Sequence, residues 1–389
     1  MKIASLSVTA LALLVAYIPG ALAQTQGVSK TEIVIGSIQD LSGPIAAFGK
    51  QSRYGMQLRV DEINEQGGIH GRKLKLLVED SGYDPKRAVL AAQKLVNQDK
   101  IFLMAAHIGT AQNNAAMPVQ FEKNVINFMP ITAAREMYEP FHKLKFSFAA
   151  TYFDQIRLAL PKLVKEKGAK KVCTLYQDDE FGLEVMRGAE AALKTLNMDL
   201  VEKTSYKRGA TDFSSQVAKM KAGGCDFVVL GTIIRETIGA IGEARKTGFN
   251  PTFLGSSAAY TDLIHKLGGK PMDGLYATMT SQQPYLDEAA QPIRFWANKY
   301  KTKFNEDPTV FSVYGYSIVD MFARAAQKAG TNLSTESFIK AMDTMTVPPD
   351  MFGAPEVTFT ATKRLGNDLA RLSQIVDGRW KVMSDYIKP

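Results

Sequence analysis

The feature that most constrains the fold is an alternation of β-type apolar runs with amphipathic helical stretches, which occurs in two consecutive series. The first series begins with an apolar run at 33–35 and a helical stretch at 54–66, where apolar residues recur at spacings of three and four. The second series begins with a helical stretch at 154–166. Such alternation predicts parallel sheets covered by helices on both faces. We therefore expect an α/β fold of two units of similar size, a number that also suits 389 residues.

Individual elements follow from the same patterns. Strands are expected at 33–35, 74–78, 101–104, 125–129, 172–176, 200–206, 226–230, 253–254, 357–360 and 372–380. Helices are expected at 54–66, 113–123, 154–166, 182–196, 212–221, 236–247, 291–304 and 313–329. A further helix should begin at Pro85, because Asp84 can cap it and proline fits the first helical turn. The last part of the chain has too few strands to bury a core alone, so we expect it to return and complete the first two units.

The N-terminus has the pattern of a cleaved export signal. Lys2 precedes an apolar segment at 3–18, and residues 21–23 form a small-x-small cleavage site before Gln24. A retained N-terminal anchor is the alternative. We expect cleavage after Ala23 and a location in the periplasm.

The charge and the cysteines exclude two further classes of protein. The net charge is +8, but the lysines are spread over predicted helix faces without interleaved aromatics, which indicates a solvated surface and no nucleic-acid partner. Only two cysteines are present, too few for a disulfide scaffold. Cys173 and Cys225 would come close if strands 172–176 and 226–230 were neighbours. We expect two buried thiols rather than a bridge.

Motifs for catalysis and for metal binding are missing from the sequence. The four histidines, His70, His107, His142 and His265, have no metal-ligand spacing. The sequence contains no G-x-S-x-G elbow, no phosphate-binding loop and no dinucleotide fingerprint after a strand. We therefore expect no catalytic residues, no metal and no cofactor, and we interpret the chain as a binding protein rather than an enzyme.

Three ordered motifs near the start of the chain are more specific. LSGPIAAFG at 41–49 follows the first strand, DEINEQGGIHGRK at 61–73 ends the first helix, and Asp80 with YDPKRA at 83–88 follows the second strand. Together they resemble the branched-chain amino-acid-binding family of periplasmic receptors for ABC importers, which includes the Leu/Ile/Val-binding proteins. The resemblance continues to about Trp380. It implies two Rossmann-like lobes with a ligand held between them, at the carboxyl ends of the strands.

The family topology also implies where each lobe begins and ends. The chain would cross between the lobes three times, near Thr151, near Ala259-Tyr260 and near Gly366. The N-terminal lobe would comprise 27–151 plus 261–366, and the C-terminal lobe 152–260 plus 367–389.

The resemblance implies ligand-binding residues in the first lobe. Thr110 would donate its hydroxyl to a carboxylate and Ala111 its backbone N–H, near a helix N-terminus that favours anions. Thr132 and Ala133 lie in the second ligand loop, and Phe48 matches an aromatic of the family. Amino-acid-binding members usually carry a hydroxyl residue where Ala133 falls, so this alanine weakens the case for an α-amino acid.

Further candidates lie in the second lobe and at the crossings. Glu236 matches the acidic residue that pairs with a ligand's ammonium, although a glutamate in a first helical turn also suits the helix dipole. Arg235 would neutralise it or reach the cleft, and Phe181 matches an aromatic that covers the ligand. Tyr152 and Tyr260 lie at crossings where they would close the pocket. Core packing is the alternative for each of these aromatics.

The expected function is that of an exported, monomeric receptor that delivers a small carboxylate to the membrane subunits of an ABC permease. Two ligand classes stay open. Ala133 and the aromatics favour an aromatic or related organic acid, whereas Glu236 favours a branched-chain or other apolar amino acid. A ligand-sensing domain that reports to a membrane partner is a further alternative.

Overall fold

A computed structural model of the protein describes residues 25–389, so the predicted export signal lies outside the described residues. No helix within 25–389 has the length and apolar character needed to cross a bilayer. The first sheet and its helices come from the start of this range: β1 (Glu32–Gln39), α1 (Ala46–Glu65), β2 (Lys73–Asp80), α2 (Pro85–Gln93), β3 (Leu103–Ala105), α3 (Thr110–Glu122), β4 (Ile126–Phe128) and β5 (Lys145–Phe146). Its five strands are parallel, in the order β2-β1-β3-β4-β5. Asp84 caps α2 as expected, accepting hydrogen bonds from the backbone N–H groups of Lys86 and Arg87.

The second sheet belongs to the next part of the chain and to its C-terminal end. Its elements are α4 (Tyr152–Lys167), β6 (Val172–Gln177), α5 (Glu180–Lys194), β7 (Leu200–Tyr206), α6 (Ser214–Ala222), β8 (Phe227–Gly231), α7 (Arg235–Lys246), β9 (Thr252–Gly255), α8 (Asp262–Gly268) and β10 (Tyr276–Met279). The segment that follows forms α9 (Gln291–Phe304), α10 (Val310–Ala329), α11 (Thr335–Met342), a short strand pair β11 (Thr346–Val347) and β12 (Val357–Thr358), and then β13 (Arg371–Val376) and β14 (Arg379–Val382). The second sheet has the order β14-β13-β10-β9-β8-β6-β7, with β13 and β14 antiparallel to their neighbours. The fold is therefore α/β with two Rossmann-like lobes, as expected.

The chain passes three times between the lobes, and one of these crossings differs from the prediction. The first lies between β5 and α4, and the third lies between Leu365, which bridges Ser147 of the first lobe, and β13. The predicted second crossing at Ala259-Tyr260 is wrong, because β10 pairs with β9 and β13. The residues from 261 to the end of β10 therefore complete the second lobe rather than the first.

The predicted strand at 372–380 is also wrong, because it is a hairpin. β13 and β14 pair with Val376 opposite Arg379, which leaves Asp377 and Gly378 as a two-residue turn. Both turn residues have positive φ, 53° and 70°. Asp-Gly is a strong sequence signal for this kind of turn.

The two cysteines are bonded to each other, so the expectation of two separate thiols is wrong. β6 and β8 are adjacent parallel strands, with Cys173 opposite Val228. Cys225 lies just before β8, and the Cα atoms of the two cysteines are 5.9 Å apart. The disulfide links the N-terminal ends of the neighbouring strands β6 and β8. It therefore lies on the side of the sheet opposite the carboxyl ends of the strands.

Helices α1 and α10 pack with their backbones close together. A Cβ atom at Gly55 would lie 1.9 Å from the carbonyl oxygen of Ser312, and one at Gly315 would lie 2.2 Å from that of Ser52. Any larger residue at either position would force the helices apart. This contact fixes the returning C-terminal segment on the first lobe, as the sequence predicted.

Candidate functional site

A narrow cavity of about 60 Å³ lies between the lobes, at the carboxyl ends of the strands of both sheets. The first lobe contributes the loops after β3 and β4, and the second contributes Ile233, Ser257 and Ala258 from the loops after β8 and β9. The structure brings most of the predicted site residues to this cavity: Phe48, Thr110, Thr132, Ala133, Tyr152 and Phe181.

Three hydroxyl groups converge on one side of the cavity. The Oγ1 atoms of Thr110 and Thr132 are 2.6 Å apart, and the phenol of Tyr152 hydrogen-bonds to Thr132. The backbone N–H of Tyr152 donates to the carbonyl oxygen of Ala133 at 2.6 Å, which fixes the start of α4 against the second ligand loop. Burial raises the pKa of Tyr152, so its hydroxyl stays a neutral donor.

The same side of the cavity contains the N-terminus of α3. Gly109 precedes the helix with φ at 97°, and no side chain from the described part of the chain caps the first turn. The first N–H groups of a helix have no carbonyl partner within it, so those of Thr110 and Ala111 are available to an anion. Ala111 is not part of the cavity wall, but its N–H belongs to this turn. Hydroxyls and helix N–H groups together form a site suited to a carboxylate.

Aromatic rings form the other walls of the cavity. Phe48 stacks on Phe311 with ring centroids 3.6 Å apart, and Tyr152 meets Phe181 edge to face at 5.0 Å. Each of these rings is buried and also lines the cavity, so core packing does not exclude contact with a ligand. The body of a ligand in this cavity would be in contact with apolar surface.

Sequence reasoning missed several residues of the wall. Phe311 and Tyr314 come from the first turns of α10, Phe148 from the first crossing, and Tyr83 from the loop after β2. Tyr83 lies within a motif already noted. The sequence also contained a signal for Phe311 and Tyr314. They are three residues apart on one helix face, and they follow Thr309, whose side chain caps α10.

Besides Ala111, three predicted residues lie outside the cavity wall. Glu236 is buried at the start of α7, where burial raises its pKa and the nearby Arg235 partly opposes that shift. Arg235 is exposed. Tyr260 is a core residue whose hydroxyl accepts from the N–H of Gln283 and whose ring packs on Trp380. Among the described residues that line the cavity, none is Asp, Glu, Lys or Arg.

Contacts across the cleft hold the two lobes together. Arg135, after β4, forms a bidentate ion pair with Glu184 of α5, with Nη2 2.7 Å from Oε1. The Glu184 side chain is only 2% exposed. On the other side of the cleft, the Tyr83 ring of the first lobe lies under the guanidinium of Arg208, 5.0 Å from its carbon. The lobes are therefore closed over the cavity.

Comparison with known proteins agrees with this architecture. The family model described as periplasmic binding protein matches residues 32–379. An amino acid binding protein of Pseudomonas aeruginosa is 26% identical over 304 residues, which cover 77% of this chain and 80% of the relative. The Leu/Ile/Val-binding protein of Citrobacter freundii is 24% identical over 316 residues, which cover 81% of this chain and 85% of the relative.

A solved structure shows the same fold. The fatty acid ABC transporter substrate-binding protein from Thermomonospora curvata superposes with a TM-score of 0.86 at 23% identity, covering 95% of this chain and 96% of that one. Because the family model spans nearly the whole described range, the chain belongs to the periplasmic binding protein family, as a type I member of its branched-chain amino-acid-binding class.

Proposed function

We propose that the protein captures a small carboxylate with an apolar body, an aromatic or related organic acid, in the cleft between its lobes. The observation that carries this proposal is the composition of the wall: hydroxyls and a helix N-terminus on one side, aromatic rings on the others, and no charged side chain among the described residues that line it. A carboxylate would find donors there. An ammonium group would lose its hydration without meeting an anion, which is costly in a closed cleft.

Family membership supports the biological role that we propose. We propose an exported monomer in the periplasm that delivers its ligand to the membrane subunits of an ABC permease, with no enzymatic activity. The relatives are named as binding proteins, and the solved neighbour is named as the substrate-binding protein of an ABC transporter.

A branched-chain or other apolar amino acid is the second candidate ligand. Two observations favour it: the names of the relatives, and the position of Glu236, three residues after Ile233 of the cavity wall. Glu236 is buried and does not itself line the cavity.

Titration calorimetry tests which of the two ligand classes the protein binds. Benzoate and leucine are each titrated into the wild type and into Glu236→Gln. We expect benzoate to bind, and Glu236→Gln to change its affinity by less than about twofold, because no charge of the ligand faces that residue. If the ligand is instead an amino acid, leucine should bind and the substitution should weaken it about tenfold or more, since a hydrogen bond to a charged group contributes about 1.5–3 kcal/mol. Glu243→Gln, on the same helix, is the control. Failure of both ligand classes to bind would reject the function.

Closure of the lobes should depend on Arg135. We expect Arg135→Ala to enlarge the ligand-free protein and to weaken ligand binding by about tenfold, the lower end of the range for a charged hydrogen bond because Arg135 is 32% exposed. Small-angle scattering measures the first effect and calorimetry the second. Arg157→Ala is a matched control, because Arg157 is also 32% exposed but pairs with Asp154 inside α4. An unchanged radius of gyration in Arg135→Ala would show that this ion pair does not hold the lobes closed.

A further inference from the structure

The wall of the cleft contains three hydroxyl groups that the carboxylate site does not use. Ser147 directly follows β5, Thr280 directly follows β10, and Tyr314 lies in the first turns of α10. All three side chains line the cleft. They are almost fully buried, with exposed fractions of 2%, 5% and 7%. We call them the hinge hydroxyls, because two of them stand where the chain leaves one lobe for the other.

None of the hinge hydroxyls has a hydrogen-bond partner within residues 25–389. In that range, Ser147 and Thr280 form hydrogen bonds through backbone atoms only, and Tyr314 makes ring contacts with Phe148 and Phe311. The three oxygen atoms are not sealed in the core, so they face the space that their side chains line. A buried hydroxyl without a partner is unfavourable, because it has lost its hydrogen bonds to water. An occupant of the cleft that hydrogen-bonds to these groups would remove that cost.

The hinge hydroxyls and the carboxylate site belong to different parts of the wall. Thr280 and Tyr314 also line a second cavity, which lies beside α10, so they stand on the side of the cleft that faces this helix. Thr110 and Thr132 line the cleft alone. The cleft therefore offers hydrogen-bonding groups in two separate places.

Aromatic surface makes up much of the remaining wall. Phe48, Phe181 and Phe311 line the cleft, and none of them lines the second cavity. A ligand with its carboxylate at Thr110 and Thr132, and with a flat apolar body against these rings, would present its other end to the hinge hydroxyls.

The chemistry of the hinge hydroxyls suits a polar group without charge. Among the described residues that line the cleft there is no Asp, Glu, Lys or Arg, so a second ionic group of the ligand would have no counter-ion. A hydroxyl both donates and accepts, so three of them can bind either a hydroxyl or a carbonyl group. Burial raises the pKa of Tyr314, so its hydroxyl stays neutral and can donate.

We infer that the ligand is an acid with a second, uncharged polar group, a hydroxyl or a carbonyl, at the end remote from its carboxylate, and that Ser147, Thr280 and Tyr314 bind this group. The inference rests on the proposed function, because it takes the carboxylate to be held at Thr110 and Thr132. It adds a basis for specificity, since an acid without the second group would leave the hinge hydroxyls buried and unpartnered. A site built to hydrogen-bond a ligand group rejects analogues that lack it more strongly than an apolar pocket rejects a change of size.

The test compares benzoate with its meta-hydroxy, para-hydroxy and para-methyl derivatives by titration calorimetry on the wild type. We expect the better of the two hydroxylated acids to bind about tenfold or more tightly than benzoate, because its hydroxyl gains partners and satisfies buried groups of the wall. The para-methyl acid separates hydrogen bonding from size, since a methyl group fills similar space but forms no hydrogen bond. It should bind about tenfold or more weakly than the better hydroxylated acid.

Substitutions of the hinge hydroxyls test the assignment of the residues. Tyr314→Phe and Thr280→Val each remove a hydroxyl that has no partner within residues 25–389, so thermal stability should be retained. Tyr314→Phe should lower the preference for the hydroxylated acid over benzoate by about threefold or more, and the combination with Thr280→Val and Ser147→Ala should abolish it. Tyr316→Phe is the matched control on the same helix, because the Tyr316 hydroxyl donates to Glu62 at 2.7 Å and its side chain does not line the cleft. Its preference should equal that of the wild type.

The outcomes separate the inference from the proposed function. If benzoate binds and neither hydroxylated acid binds more tightly, the inference is wrong and the carboxylate site stands. A preference for the hydroxylated acid that survives in the triple variant also overturns the inference, because other groups would then bind the ligand's hydroxyl. If none of these acids binds the wild type, the proposed function itself fails.

Discussion

Thr110→Val is expected to weaken carboxylate binding by about tenfold to more than a hundredfold. The Thr110 hydroxyl is buried, contacts Thr132, and stands in the first turn of α3, so it is placed to donate to an anion in the cleft. Loss of a hydrogen bond to a charged group costs about 1.5–3 kcal/mol, and valine has nearly the same shape as threonine. Titration calorimetry measures the affinity, and thermal unfolding shows whether stability is retained.

The second lobe offers a matched control for this substitution. Thr232 and Thr237 form another buried hydroxyl pair, also 2.6 Å apart, and neither lines the cleft. Thr237→Val should therefore cost a similar amount of stability and leave the affinity nearly unchanged. If Thr110→Val binds as tightly as the wild type, Thr110 is not part of the carboxylate site.

Removal of the disulfide is expected to have the largest effect on stability. Cys173 and Cys225 are 52 residues apart in sequence, and closing a loop of that length should contribute about 4 kcal/mol by restricting the unfolded chain. The double substitution Cys173→Ala, Cys225→Ala should lower the free energy of unfolding by about that amount in urea titrations. Ligand affinity should not change, because the cysteines lie at the opposite end of the sheet from the cleft.

The single substitutions distinguish a bond from two independent thiols. If the sulfurs are bonded, either alanine alone breaks the crosslink, so each single variant should lose about as much stability as the double variant. If the thiols were separate, the two single effects would add up to the double effect.

Local signals in the sequence were sufficient to predict most helices and strands of the fold. The cap at Asp84, and the apolar periodicity of the helices, depend on residues within a turn or two of each other, and the structure has these features where they were expected. The second crossing depends instead on whether β10 pairs with β9, and β10 is a short strand without a distinctive pattern. The pairing of Cys173 with Cys225 similarly required the order of the strands, which no local pattern gives.

The candidate site was predictable where it is built from loops at strand ends. Thr110 and Thr132 follow strands of the first sheet and Phe181 follows a strand of the second, so parallel pairing places each at the carboxyl edge of its own sheet, facing the cleft. Phe311 and Tyr314 reach the cavity only because α10 packs on α1, which is a long-range contact. Glu236 also follows a strand, but the first turn of α7 buries it away from the cavity wall. The position of Glu236 in the sequence predicted the edge of the sheet near which it lies, but it did not predict the direction of its side chain.

The discontinuous lobes have a consequence for synthesis of the chain. The first lobe uses Leu365 to bridge Ser147, and the second needs β13, from Arg371–Val376, to pair with β10. A ribosome must therefore make nearly the entire polypeptide before either lobe can complete its backbone pairing, although the first lobe has most of its strands early. A premature stop codon before residue 365 would leave both halves of the nascent protein unfinished, rather than truncating one and sparing the other.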